Sequence, residues 1–302
     1  MNEPLNRRTF LRNTVIIAGA AALSPAALSA AEEPAKKRNY RKAIMWETVG
    51  IKGSVLEKCK AIKEAGFDGI EPSSHMNQEE VLKALEATGL QAASVCCSTH
   101  WSKPVTDPNP GVREAGIEGL KQALRDAKRY EATSVLFVPG VVSKQVAYAD
   151  AYSRAQEAIR KAIPLAEELG VRIAFENVWN NFLLSPLEAA RFVDEFNSPM
   201  AGWHFDCGNV VNYAWPEQWV RVLGKRISRL HIKEFSRKKA DKEGKWAGFK
   251  VALMEGDNDW PAIMKALDEI GYTGWAIAEQ DGAGSPEGMK DIAGRMDRIL
   301  AS

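Results

Sequence analysis

Three segments stand in succession in the second half of the chain: Val171-Arg-Ile-Ala-Phe-Glu-Asn-Val178, Ser185-Pro-Leu-Glu-Ala-Ala-Arg-Phe-Val-Asp194 and Ala201-Gly-Trp-His-Phe-Asp-Cys207. The first and third are apolar runs of strand length. The second opens with a Ser that can cap and a Pro suited to the first helical position. Strand, helix, strand is the order that forces two parallel strands with a helix packed outside them, so this stretch points to an α/β fold.

The same alternation continues in both directions. Strands are read at 41–49, 69–73, 91–99, 133–139, 171–178, 201–207, 227–235 and 274–279. Ser54-Val-Leu-Glu57 and Asn77-Gln-Glu-Glu80 have the form of capping boxes, and Ser285-Pro286 repeats the Ser-Pro start. Val55, Leu56, Cys59 and Ile62 then share one helical face. Eight βα units over residues 41–302 predict a single (β/α)8 TIM barrel. A doubly wound open sheet is the runner-up, but it calls for a glycine-rich phosphate loop after the first strand, and Val49-Gly-Ile-Lys-Gly53 is not one.

Residues 1–31 are read separately. Asn6-Arg-Arg-Thr-Phe-Leu-Arg12 precedes an Ala-rich apolar run from 15 to 27, with small residues at Ser29, Ala30 and Ala31. This pattern resembles a twin-arginine signal peptide, and it implies the twin-arginine export machinery as a partner and a periplasmic destination. A membrane-anchoring helix fits less well, because the run is shorter than the roughly 20 residues a span requires and holds Pro25. Residues 32–40 read as a basic linker.

The chain has 302 residues, 45% of them hydrophobic and 26% charged, which excludes disordered and collagen-like classes. Removing Arg7, Arg8, Arg12 and Glu3 with the signal shifts the net charge of +1 slightly to the acidic side. Such a balance leaves no footprint for nucleic acid. The four cysteines, Cys59, Cys96, Cys97 and Cys207, are too scattered for a disulfide framework.

Barrel chemistry sits where strands end, and four consecutive strands end in ionisable groups: Glu176, Asp206, His231 and Glu279. Unpaired charges at the end of a buried strand are costly, and four converging on one mouth call for a cation. Three carboxylates and one imidazole suit a divalent ion, with Mn2+ first and Co2+, Mg2+ or Zn2+ as alternatives.

The segments Phe175-Glu-Asn-Val-Trp-Asn-Asn-Phe182, Phe205-Asp-Cys-Gly-Asn209, Leu230-His-Ile-Lys-Glu-Phe235, Glu255-Gly-Asp-Asn-Asp-Trp260 and Ala278-Glu-Gln280 resemble the xylose isomerase-like sugar isomerase/epimerase barrels. The resemblance spans the mature chain. It implies metal ligands at Glu176, Asp206, His231 and Glu279, a proton-transferring pair in Glu176 and Glu279, and a substrate-holding arginine at Arg237. The ketose 3-epimerases of the family carry a substrate-binding His where this chain has Asn209.

The expected function is a metal-dependent sugar isomerase/epimerase working through an enediolate. The alternatives are a lyase acting on 3-keto-glycosides at the same site and a sugar-binding barrel without catalysis. Abasic-site endonucleases, with their many zinc-binding histidines, do not match a chain with four His in all. Glu71, His100, Trp179 and Lys233 are further candidates for substrate contact, with structural hydrogen bonding or core packing as the competing reading for each. A homo-oligomer is compatible with the sequence. The segment 236–257, rich in Lys, Gly and Asp, is read as an irregular lid that carries Arg237.

Overall fold

The computed structural model describes residues 38–302, so the signal at 1–31 and the linker residues 32–37 lie outside the described residues. The described chain begins with Arg38, whose guanidinium pairs with Asp268 at 3.0 Å and donates to the carbonyls of Leu300 and Ser302. Tyr40, read as linker, already opens the first strand.

The strands are β1 (Tyr40–Met45), β2 (Gly69–Glu71), β3 (Gln91–Ala92), β4 (Val95–Cys96), β5 (Ser134–Phe137), β6 (Arg172–Glu176), β7 (Ala201–Asp206), β8 (Ile227–Ile232) and β9 (Gly274–Ala278). All neighbours pair in parallel, in the order β3-β2-β1-β9-β8-β7-β6-β5-β4. The two ends of that order are halves of the single strand predicted at 91–99. Ile70 pairs with Ala92, whereas Ser73 pairs with Cys96, so the third strand carries one extra residue between these pairs. That is a β-bulge, and it closes the barrel.

The bulge releases the carbonyl of Ala93, and Arg229 reaches across from β8 to satisfy it, with Nε donating at 2.6 Å. The same guanidinium donates to Thr133 Oγ1. Beside it, Ala43, Ala93, Trp275 and Ile277 pack as an apolar floor inside the barrel. Gly69 is required there, because a Cβ would sit 2.8 Å from the Trp275 ring.

The outer helices are α1 (Val55–Glu64), α2 (Gln78–Thr88), α3 (Pro110–Arg129), α4 (Tyr148–Arg160) with α5 (Ile163–Leu169), α6 (Pro186–Asp194), α8 (Pro216–Leu223), α10 (Trp260–Glu269) and α11 (Pro286–Ala301). Two short helices, α7 (Cys207–Val211) and α9 (Arg237–Glu243), lie on the strand-end face. Ser54 and Glu57 form the reciprocal capping box expected of them. Asn77 caps α2 with its own side-chain oxygen, and Ser185 and Ser285 cap α6 and α11 ahead of their prolines. One core of aliphatic and aromatic side chains fills the layer between strands and helices.

Candidate metal centre and sugar cavity

Side chains alternate along each strand, so Glu176, Asp206, His231 and Glu279 all project to the barrel interior from the ends of β6, β7, β8 and β9. They form a group whose ligand atoms all lie within 4.8 Å of one another. His231 Nδ1 stands 3.1 Å from Glu176 Oε1, 2.8 Å from Glu279 Oε2 and 3.9 Å from Asp206 Oδ2. A single N–H cannot serve three oxygens, and Asp206 Oδ2 and Glu279 Oε2 are buried with no hydrogen-bond partner.

The neighbouring bonds leave these atoms free for a common purpose. Asp206 caps α7 with Oδ1, which accepts from Asn209 N at 2.7 Å, and turns Oδ2 toward the centre. Asn177 fixes the aspartate backbone, accepting from Asp206 N and donating to Asp206 O. Lys233 Nζ donates to Glu279 Oε1 at 2.8 Å and lies 3.6 Å from Asp206 Oδ2. Three carboxylates against one lysine leave two negative charges, which matches a divalent cation.

The electrostatics agree. Burial pushes the Glu176 carboxyl up and the Asp206 carboxyl well up. Burial also opposes ionisation of Glu279, but Lys233 and His231 overcome it and hold that carboxyl well below its ordinary range. His231 is likewise driven up by Glu71 and Glu279 against its own burial. The carboxylates thus draw positive charge onto both the His231 imidazole and the Lys233 ammonium.

Beneath the centre, His231 Nε2 hydrogen-bonds Glu71 Oε2 at 2.9 Å. Glu71, a candidate substrate contact in the sequence, is fully buried and does not line the cavity described below. It orients the histidine, as a carboxylate behind a ligating imidazole does. His204 packs edge-on against His231, with ring centroids 4.1 Å apart, and burial drives it well down, to the neutral form.

Above the centre lies a cavity of about 320 Å³, within the range of small-molecule sites. Glu176, Glu279, Lys233, Asn209, His100 and Trp179 all line it, together with Met45, Thr48, Cys96, Trp101, Leu136, Val178, Trp246, Phe249, Gln280 and Asp281. His100 Nδ1 accepts from Val138 N at 3.3 Å, and burial lowers its pKa to about 4, so it faces the cavity as a neutral ring. Asn209 donates to Asn177 O, and Trp179 Nε1 donates to Asn209 O.

Arg237 is placed elsewhere. Its guanidinium donates to the carbonyls of Val211 (2.7 Å) and Ala214 (2.8 Å) and lies over the Trp215 ring, while its backbone N–H bonds Asp257. It ties α9 to the end of α7 and is not among the cavity-lining residues. Arg237→Ala is therefore expected to lower stability by about 1–3 kcal/mol, the cost of stranding two part-buried carbonyls, read as a lower thermal midpoint. Unchanged melting with a raised KM would instead return Arg237 to the substrate.

The segment 236–257 is not irregular. It holds α9 and a 3-10 turn at Lys245–Phe249, from which Trp246 and Phe249 join Trp179 with centroids 4.7 and 4.8 Å away. Sequence reading does not single out either aromatic, although Lys245-Trp-Ala-Gly-Phe249 stands within the segment read as Lys-, Gly- and Asp-rich. It also missed Glu234, a fully buried carboxylate that accepts from Met254 N, Asn258 and Trp260 Nε1 and so anchors the return of this segment.

A model of the family described as xylose isomerase-like TIM barrel matches residues 59–299. The L-ribulose-5-phosphate 3-epimerase UlaE of Escherichia coli O1:K1 / APEC is 22% identical over 262 residues, covering 82% of this chain and 89% of that protein. Among solved structures, a D-psicose 3-epimerase in the presence of D-fructose superposes with a TM-score of 0.69 at 17% identity, over 87% of this chain and 100% of that one. The 3-keto-D-glucoside 4-epimerase YcjR from E. coli gives 0.70 at 16% identity, over 88% and 100%.

Proposed function

The chain belongs to the xylose isomerase-like TIM barrel family, and on that footing we propose that it is a divalent-metal-dependent sugar isomerase/epimerase whose proton-transferring groups are Glu176 and Glu279. The observation that carries the reading is that two glutamates, Glu176 buried at the end of β6 and Glu279 part-buried just past β9, line one cavity with their carboxylates 3.1 and 2.8 Å from His231 Nδ1. A divalent cation held by Glu176, Asp206, His231 and Glu279, with Mn2+ first among the candidates, supplies Lewis-acid polarisation of the sugar carbonyl.

The residues do the rest. One glutamate takes the proton from the carbon next to the carbonyl, leaving an enediolate. The other returns a proton to the opposite face, which inverts the centre, or return at the neighbouring carbon moves the carbonyl. Lys233, bonded to Glu279, keeps that carboxylate ionised and adds positive charge where the enediolate develops. His100 and Asn209 offer neutral hydrogen-bonding groups, and the apolar walls from Leu136, Trp179 and Phe249 limit access of water. Export as a folded, metal-loaded protein through the twin-arginine route, carried by Arg7 and Arg8, completes the proposal.

The test is solvent exchange. Metal-loaded protein incubated with a panel of ketoses and keto-glycosides in D2O is expected to place deuterium on a carbon adjacent to the carbonyl of its substrate, read by NMR. Loss of a glycosidic substituent with the exchange would favour the lyase alternative, and no exchange with any sugar would end the enediolate reading.

A further inference from the structure

The cavity is closed at its base by the carboxylate group and open at its mouth, and the mouth has an unusual composition. Trp101, from the loop after β4, and Trp246, from the segment after β8, both line the cavity yet are 51% and 67% exposed. A single exposed indole is ordinary on a protein surface. Two on the rim of one cavity, carried by loops from different parts of the barrel, are a more specific arrangement. Trp246 is held in place by Trp179, whose other contacts include Phe249, and Trp101 is held by the edge of His100 at 5.6 Å.

The charge of the cavity is the second observation. Among the described residues that line it, Lys233 is the one Lys or Arg, and it is already bonded to Glu279 and close to Asp206. His100 is neutral, and Glu176, Glu279 and Asp281 are all on the wall. Arg237 is spent on the carbonyls of Val211 and Ala214, and Lys245 lies on the Trp179 ring at 4.3 Å. With a divalent ion in the centre, the three ligating carboxylates and Lys233 sum to zero and Asp281 leaves the wall acidic. Among the described residues that line it, a phosphate dianion would find no arginine fork to hold it, although phosphate recognition draws on such groups.

We propose that the substrate is an uncharged sugar bearing a second ring, whose reacting sugar fills the cavity while the attached ring lies against Trp101 and Trp246 at the mouth. This deepens the isomerase/epimerase reading and rests on it. Indole faces suit the apolar faces of sugar and aryl rings, and rigid aromatic surfaces order at low entropy cost. Two chemistries would present such a ring. In a glycoside the anomeric carbon is locked, so the reacting carbonyl must be a ketone on the sugar ring. In a reducing disaccharide the carbonyl is that of the open chain.

Binding to the Mn2+-loaded protein, followed by calorimetry, tests the proposal with four probes: a phenyl glucoside carrying a ring ketone, lactulose as a ketose bearing a galactosyl ring, D-fructose, and D-ribulose 5-phosphate. The ring-bearing probes are expected to bind roughly tenfold or more tightly than fructose and ribulose phosphate, the scale of an added aromatic contact on each side. Which of the two binds tighter separates glycoside from disaccharide. Trp101→Ala and Trp246→Ala, both at exposed positions, should each cut that preference, and the double variant should bring it to within about twofold, with unchanged circular dichroism. Equal or tighter binding of fructose or ribulose phosphate, a preference that survives the double variant, or no binding of any probe overturns the proposal. Deuterium exchange is read on the same samples: a ring preference without exchange would sink the enediolate chemistry alone, and exchange without a ring preference would sink this inference alone.

Discussion

Glu176→Gln and Glu279→Gln are each expected to lower turnover by about three orders of magnitude, within the range for loss of a general acid or base. Glutamine keeps the size of glutamate and can still offer an oxygen to the cation, but it cannot take or hold the migrating proton. The two variants should differ in what survives. If each glutamate serves one face of the enediolate, one variant should still wash out the substrate hydrogen into D2O without net conversion, while the other should do neither. Because both residues also belong to the ligand set, metal content has to be measured beside turnover, so that a variant with full metal and no turnover isolates the proton step. Glu279→Gln additionally releases Lys233 from its 2.8 Å partner, so the larger loss is expected there. Turnover within about tenfold of the parent in either variant would place the proton transfers on other groups.

Divalent metal is expected to stabilise the fold strongly. At free metal about a thousandfold above Kd, binding adds roughly 4 kcal/mol, or on the order of 8 °C in melting temperature for a domain of this size. The double substitution Asp206→Ala with His231→Ala removes the imidazole and the orphaned Oδ2 and should abolish both the shift and the bound ion. Its metal-free form is expected to be less stable than the parent, because Glu71, Glu176 and Glu279 lose their imidazole partner and the Asn209 N–H loses its acceptor. Glu71→Gln leaves all four ligands in place yet loosens the orientation of His231, and a 10- to 100-fold weaker affinity is the expected result. Full metal content by elemental analysis in the double variant would show that the ion, if any, binds elsewhere.

Much of this architecture is legible in the sequence because strand and helix alternate with good punctuation. Ser54, Ser185 and Ser285 each cap the helix they announce. The four strand-end residues were legible for a related reason: an ionisable side chain closing an apolar run has few structural uses. What escaped depends on features that carry no local signal. The bulge in the third strand is a difference of one residue in register, visible only against the partner strands. The spacing of Arg237 from His231 fixes where its backbone emerges, but a long side chain chooses its partners in three dimensions, and the carbonyls at the end of α7 claimed it. Glu71 could be placed inside the barrel by alternation, yet only the fold brings its carboxylate beneath the ring of His231. In the segment after β8, abundant Lys and Gly masked two aromatics that matter more to the cavity than its charges do.

The break in the third strand also divides the barrel mechanically. β3 and β4 offer only two paired residues each to β2 and β5, whereas β6 through β9 are longer strands that pair over three or four residues at each join, with one register shift between β7 and β8 at Trp203/His204. The wall therefore has a compliant side and a stiff side, and opening fluctuations concentrate where the paired length is shortest. All four candidate ligands, Glu176, Asp206, His231 and Glu279, ride on the stiff side. Trp101 and His100 ride on the loop that leaves the compliant one. Flexing along that seam would move Trp101 and His100 at the cavity rim more than it would move Glu176, Asp206, His231 and Glu279, so entry to the cavity and the geometry at its base fall to different parts of one closed sheet.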